Sequence, residues 1–230
     1  LNESIVSTEL GLKGIPNISE SINLYRDIEI LSYSGGKIHI PYVTTSKGVN
    51  LIREAKKNNL DITASVSLAH ITFSEKDIPE FNTNFKLIPP LRSESDLNSL
   101  KEGLIDGTID YLTSMHEPFD IDNKKNVFDN ASSGSIGLES MFGLMSNQFT
   151  LEKTIDILTR KKIIFGVDDH PIEIGSLADL SLFNPDKNYD FSEDHILSTS
   201  KNCAFVDTKH KGIVYGSING KNFTLNKLWT

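Results

Sequence analysis

The chain has 230 residues, 38% hydrophobic and 23% charged, enough for one or two ordinary cores and too few for a large multidomain enzyme. Its formal charge of −8 comes from 31 acidic against 23 scattered basic residues, which argues against nucleic acid as a partner. No apolar run approaches the ~20 residues of a membrane span, and the opening LNESIVSTELG lacks signal-peptide regions, so the cytoplasm is the expected compartment. Cys203 is the only cysteine, which excludes an internal disulfide and a cysteine zinc cluster and leaves a small buried residue as its reading.

A first helix is predicted from Asn17, behind Pro16, toward Ser32 or Ser34, with Glu20 completing a capping box and Gly35-Gly36 ending it. A strand, Lys37 to Val43, follows, then a helix from about Ser46 to Asn58 with Val49, Ile52 and Ala55 on one face. Ile62 to Leu68 reads as the next strand. A long polar stretch then ends in Pro89-Pro90 and has the look of a functional loop. Leu97, Leu100 and Leu104 mark a helix that Asp106-Gly107 terminates, and Thr108 to Thr113 forms a third strand. After an irregular loop to about Ser135, helices are predicted at Ile136 to Met145 and Leu151 to Leu158, the second placing Leu151, Ile155 and Leu158 on one side. Beyond Phe165 come short β-like pieces at 178–183, 203–206 and 212–218, so a boundary falls near Gly166, dividing 1–165 from 166–230. The alternation of strand and helix is the signature of parallel β/α units, hence an α/β fold, although three such units cannot close an eight-unit barrel.

Four stretches carry a resemblance: TELGLKGIP at 8–16, KIHIPYVTTSKGVNLIREAKKNN at 37–59, TNFKLIPPLRSESDLNSLKEGLIDGTIDYLTSMHEPFD at 83–120, and GSIGLES at 134–140. They resemble class I dihydroorotases, of the branch of the amidohydrolases that also resembles allantoinases. GSLADLSLF at 175–183 is similar to the segment by which such enzymes enter a small flanking β domain. The resemblance implies the last units of a (β/α)8 TIM-type barrel, with the C-terminal part of the small β domain after residue 165. It also implies the family's chemistry, hydrolysis of a cyclic amide by a binuclear zinc site at the strand ends, whose metals generate hydroxide and polarise the carbonyl.

Within this segment the family places a metal-binding histidine before the V-T/S-T turn and a metal-binding, proton-shuttling aspartate before the HxP turn; here stand Tyr42 and Met115. A neutral tyrosine is a poor zinc ligand, and a thioether cannot accept a proton from metal-bound water. Ile88 occupies the place of a substrate-binding asparagine and Phe119 that of a substrate-binding histidine, while His116, Ser133 and Gly134 complete the substrate-side positions. No metal is therefore expected in this chain, although zinc serves the family.

No two of the six histidines sit at HxH or HExxH spacing. His39 reads as a packed histidine facing the helices, on the opposite side of its strand from Tyr42. His116 reads as a turn residue at a strand end, Asp168-Asp169-His170 as a solvated turn, and Ser132-Ser133 lacks a nucleophile-elbow setting. Three functions compete: a non-catalytic dihydroorotase-like chain with a structural or regulatory role in pyrimidine biosynthesis, an active zinc-dependent cyclic amidohydrolase whose remaining ligands lie in an upstream half, and a small-molecule binder using the barrel mouth. The expected partners are a second copy, a complementary N-terminal half, or aspartate transcarbamoylase. Neither nucleic acid nor membrane is among them.

Overall fold

The computed structural model of the chain describes residues 1–160, 164–167 and 172–227, so Asp168, Asp169 and His170 lie outside the described residues. After a short helix α1 (Ile5–Glu9), α2 (Asn17–Ser34) starts behind Pro16 and stops at Gly35 and Gly36, whose φ values of 68° and 95° suit residues without a side chain. The predicted capping box does not form. The Glu20 carboxylate instead accepts hydrogen bonds from the backbone and hydroxyl groups of Thr44 and Thr45, beyond the first strand.

Three parallel strands, β1 (Lys37–Ile40), β2 (Asp61–Ser67) and β3 (Tyr111–Thr113), lie in that order. Ile38 pairs with Ile62, His39 with Thr63, Ser65 with Tyr111, and Ser67 with Thr113. The connections run through α3 (Ser46–Lys57) and, after the short α4 (Leu68–Thr72), through α5 (Glu94–Asp106). Thr45 caps α3, accepting from Gly48 N–H at 3.0 Å; Ser93 caps α5, and Gly107 ends it at φ 82° as predicted. Leu97, Leu100 and Leu104 are buried, as are Val49, Ile52 and Ala55. A side chain at Gly103 would strike Ile109 and Val49, so this glycine sets the close packing of α3 on α5.

Crossovers of one hand between successive neighbouring strands put α3 and α5 on the same face of the sheet. Ile40, Ile62, Ala64, Val66 and Leu112, all buried, take that side. By alternation the other face receives His39, Thr63, Ser65, Ser67, Tyr111 and Thr113. His39 thus stands away from the helices, opposite to the sequence expectation, because Ile38 and Ile40 take the helix side.

After the one-turn α6 (Ile121–Lys124) the helix predicted at 136–145 begins later, as α7 (Met141–Gln148). The reason is local: Ile136 N–H bonds to Asn202 O, and the amides of Gly137 and Leu138 point at His116 Nδ1, so none is available to a helix. In α8 (Leu151–Thr159) the buried residues are Thr154 and Ile157, whereas Leu151 and Ile155 are exposed, so the predicted apolar side is not the buried one. An antiparallel sheet follows, β4 (Asp179–Asp190), β5 (Lys209–Asn219) and β6 (Asn222–Leu225), while the predicted strand at 203–206 is a turn.

The chain forms two compact units. One comprises Leu1–Leu138 with Ser198–Ala204; the other comprises Glu139–Leu197 with Phe205–Thr230. Gly166, the expected boundary, falls inside the second unit because α7 packs on β5: a side chain at Gly143 would lie 2.7 Å from His210 Nδ1.

Candidate functional site

On the helix-free face the His39 ring nitrogens meet three hydroxyls: Nδ1 lies 2.9 Å from Thr63 Oγ1, and Nε2 lies 3.0 Å from the Tyr111 hydroxyl and 3.3 Å from Ser65 Oγ. The imidazole stacks on Tyr111 with centroids 5.2 Å apart and planes at 10°. Burial lowers the histidine's pKa against the pull of Asp110, and burial raises that of the Tyr111 phenol. The cluster is therefore uncharged near neutral pH: it offers hydrogen bonds and a flat aromatic surface, and no carboxylate.

Two strands end on left-handed residues with side chains, Tyr42 at φ 55° and Met115 at φ 46°. Met115 is buried and its N–H donates to Thr113 Oγ1 at 2.9 Å. Tyr42, two residues beyond the end of β1, lines a groove together with His39. The groove, of 380 Å3, also takes in Ile88, whose side chain is largely exposed, with Pro89, Pro90 and Arg92. Tyr42 and Met115 offer a phenol and a thioether, and among the described residues no three His, Cys, Asp or Glu side chains are grouped to hold a metal ion. The donor set present here does not fit zinc.

The remaining predicted positions converge on a different spot. His116 Nδ1 accepts from the amides of Gly137 at 3.3 Å and Leu138 at 3.4 Å, a turn role. Gly134, at φ 142°, has no room for a side chain: a Cβ there would fall 2.5 Å from Glu117 Oε2 and 2.6 Å from Phe119. Ser133 is half-buried in the same loop. That loop is held by two lysines. Lys124 Nζ donates to Ser132 O at 2.8 Å and Gly134 O at 2.9 Å, and Lys86 Nζ donates to Asp129 O and Ala131 O. Burial and the neighbouring Lys86 ammonium bring the Lys124 pKa down to about 8, while burial raises the Glu117 carboxyl. Nothing in the sequence marks Lys86, Lys124 or Asn202, since no spacing rule singles out a lone lysine or amide.

Two further networks brace the strand ends. Ser67 Oγ lies 2.6 Å from His70 Nδ1, and His70 Nε2 donates to Pro89 O at 3.0 Å; burial lowers this imidazole to about 4, so it is neutral and fixed in one tautomer. Arg92, also buried, donates to Thr44 Oγ1, Asn2 Oδ1 and Ile15 O, tying the first residues to the turn after β1.

No protein-family model matches the chain. Among curated proteins it is 36% identical over 223 residues to a dihydroorotase of Caldanaerobacter subterraneus subsp. tengcongensis, covering 93% of this chain and 51% of that protein. The chain belongs to the dihydroorotase family. This dihydroorotase relative spans about half the length of the curated proteins it matches. Its fold is that of the L-hydantoinase (dihydropyrimidinase) from Arthrobacter aurescens, with a TM-score of 0.82 at 21% identity over 90% of this chain and 49% of that one. It is also similar to the inactive dihydroorotase-like domain of a CAD-like multifunctional protein from Chaetomium thermophilum, with a TM-score of 0.64 at 19% identity over 87% of this chain and 54% of that one. No helix among the described residues of the dihydroorotase relative is long and apolar enough to cross a membrane.

Proposed function

We propose that this chain is a dihydroorotase-like part of a pyrimidine-biosynthesis protein that no longer runs metal-dependent hydrolysis and serves a structural or regulatory role. One observation carries the reading: the two strand ends keep their left-handed turns, but Tyr42 and Met115 supply neither an imidazole nor a carboxylate there. Ile88 and Phe119 add apolar surface where the resemblance implies polar contacts to substrate. The similarity to a domain described as inactive supports the same direction. The three β/α units would form the last part of a barrel, and the antiparallel sheet the C-terminal part of the flanking domain. A chain carrying the other half of the fold, a second copy, or aspartate transcarbamoylase is the partner this role calls for.

The test is zinc content and dihydroorotate hydrolysis, measured on the purified protein alone and paired with the half of the fold it does not span. Less than about a tenth of a zinc per chain and no turnover support the reading. Stoichiometric zinc with turnover overturns it.

A further inference from the structure

The mouth of the fold is positioned by a side chain far along the sequence. Residues 198–204 belong to the first compact unit, yet they lie in the chain between two stretches of the second. Asn202 is buried in this strap, and its amide makes three hydrogen bonds. Its Nδ2 donates to Glu117 O at 2.9 Å and Gly134 O at 3.2 Å, and its Oδ1 accepts from Phe119 N–H at 3.1 Å. Two acceptors and one donor leave a single orientation of the amide that satisfies all three. The backbone of the strap adds Ile136 N–H to Asn202 O at 2.9 Å and Ala204 N–H to Ser135 Oγ at 2.9 Å.

We infer that Asn202 is the positioning residue of the mouth: its amide holds the turn carrying Glu117 and Phe119 against Gly134. A serine in its place would be too short to span three partners, and an aspartate would set a carboxylate against two carbonyl oxygens. The pose of Phe119 over Gly134 therefore depends on a segment that follows Leu197 and precedes Phe205 in the chain, so any rearrangement that withdraws 198–204 loosens the mouth. The inference rests on the proposed role only in treating these positions as the working surface. Its test does not involve zinc or turnover, so the two can fail separately.

The experiment is residue-resolved amide exchange on the whole protein, comparing wild type with Asn202→Ala and Asn202→Asp. Phe119 and Gly134 N–H report the mouth, the latter through its 2.8 Å bond to Lys86 O, and Leu112 and Val66 in the parallel sheet report the rest of the first unit. Asn202→Ala is expected to lower protection at Phe119 and Gly134 by about tenfold or more while the sheet amides stay unchanged. Asn202→Asp is expected to do the same at neutral pH and to recover protection as its own carboxyl is protonated, since the acid form donates one hydrogen bond and accepts another. Should the alanine variant fail to fold, the aspartate variant's pH profile decides. Unchanged protection at Phe119 and Gly134, equal acceleration in the sheet, or an aspartate variant without pH-dependent recovery would each overturn the inference.

Discussion

Lys124 is almost wholly buried, yet its ammonium is held by two backbone carbonyls and sits near a second ammonium, that of Lys86. Because its pKa falls from 10.5 to about 8 on folding, the unfolded chain binds more protons between those values, and this residue's contribution to stability rises with pH across that window. Urea unfolding at a series of pH values should show the rise in wild type and its loss in Lys124→Met. The substitution should also cost about 1–3 kcal/mol at neutral pH, because Ser132 O loses its donor and Gly134 O keeps only that from Asn202 Nδ2. His70 works with the same sign in a lower window: neutral in its pocket and lowered to about 4 from 6.5, it withdraws about 3 kcal/mol of stability as pH falls between those values. His70→Gln, which can still donate to Pro89 O, should flatten that limb in an acid titration followed by circular dichroism. Neither role was legible in the sequence, where burial of a lone lysine or histidine in a one-turn helix leaves no periodic mark. The polar face was legible: Thr63, Ser65 and Ser67 alternate with Ile62, Ala64 and Val66, and reading that alternation against His39 would have placed its ring with the hydroxyls.

The parallel strands and their helices follow the sequence closely because each is fixed by local rules, a capping hydroxyl at Thr45 or Ser93, a left-handed glycine at Gly107, and leucines at helical spacing. Elements whose backbone bonds go to distant partners were misread. Glu20 has the spacing of a capping box but reaches Thr44 and Thr45, and residues 136–138 look helical but bond to His116 and Asn202. The packing of α7 on β5 is another tertiary fact, and it yields a direct test. His210 stacks on Phe191 at 4.6 Å and 15°, and Gly143 passes directly over its ring. Gly143→Ala would set a methyl within 3.0 Å of three His210 atoms, so the helix or the ring must move. The expected cost is about 1–3 kcal/mol, read as a lower melting temperature. Ala at Gly36 meets open space and is strained only by φ 95°, which makes Gly36→Ala the control for backbone strain without overlap.

At the scale of the whole molecule, the first unit leaves one edge of its parallel sheet uncovered. Among the described residues β1 pairs with β2 alone, so its other edge carries unpaired backbone groups in a sheet type that normally has both neighbours and both faces covered. Beside that edge, α2 exposes Ile18, Ile22, Tyr25, Ile30 and Tyr33, an apolar surface of the kind that marks association. The groove of 380 Å3 between α2, β1 and the prolines at 89 and 90 lies along the same edge. Curated relatives are about twice as long as the part this chain matches. We therefore expect the protein alone to sediment as dimers or larger species, and to form a one-to-one complex with a chain carrying the other half of the dihydroorotase fold. In that complex the β1 amides should gain exchange protection, because a strand added along the open edge engages the donors that β2 leaves free, and Tyr33 should lose accessibility to a surface-modifying reagent. A monodisperse monomer that ignores the complementary half would mean instead that α2 and the β1 edge are stable in water as they stand, and that the apolar stripe has no partner of this kind.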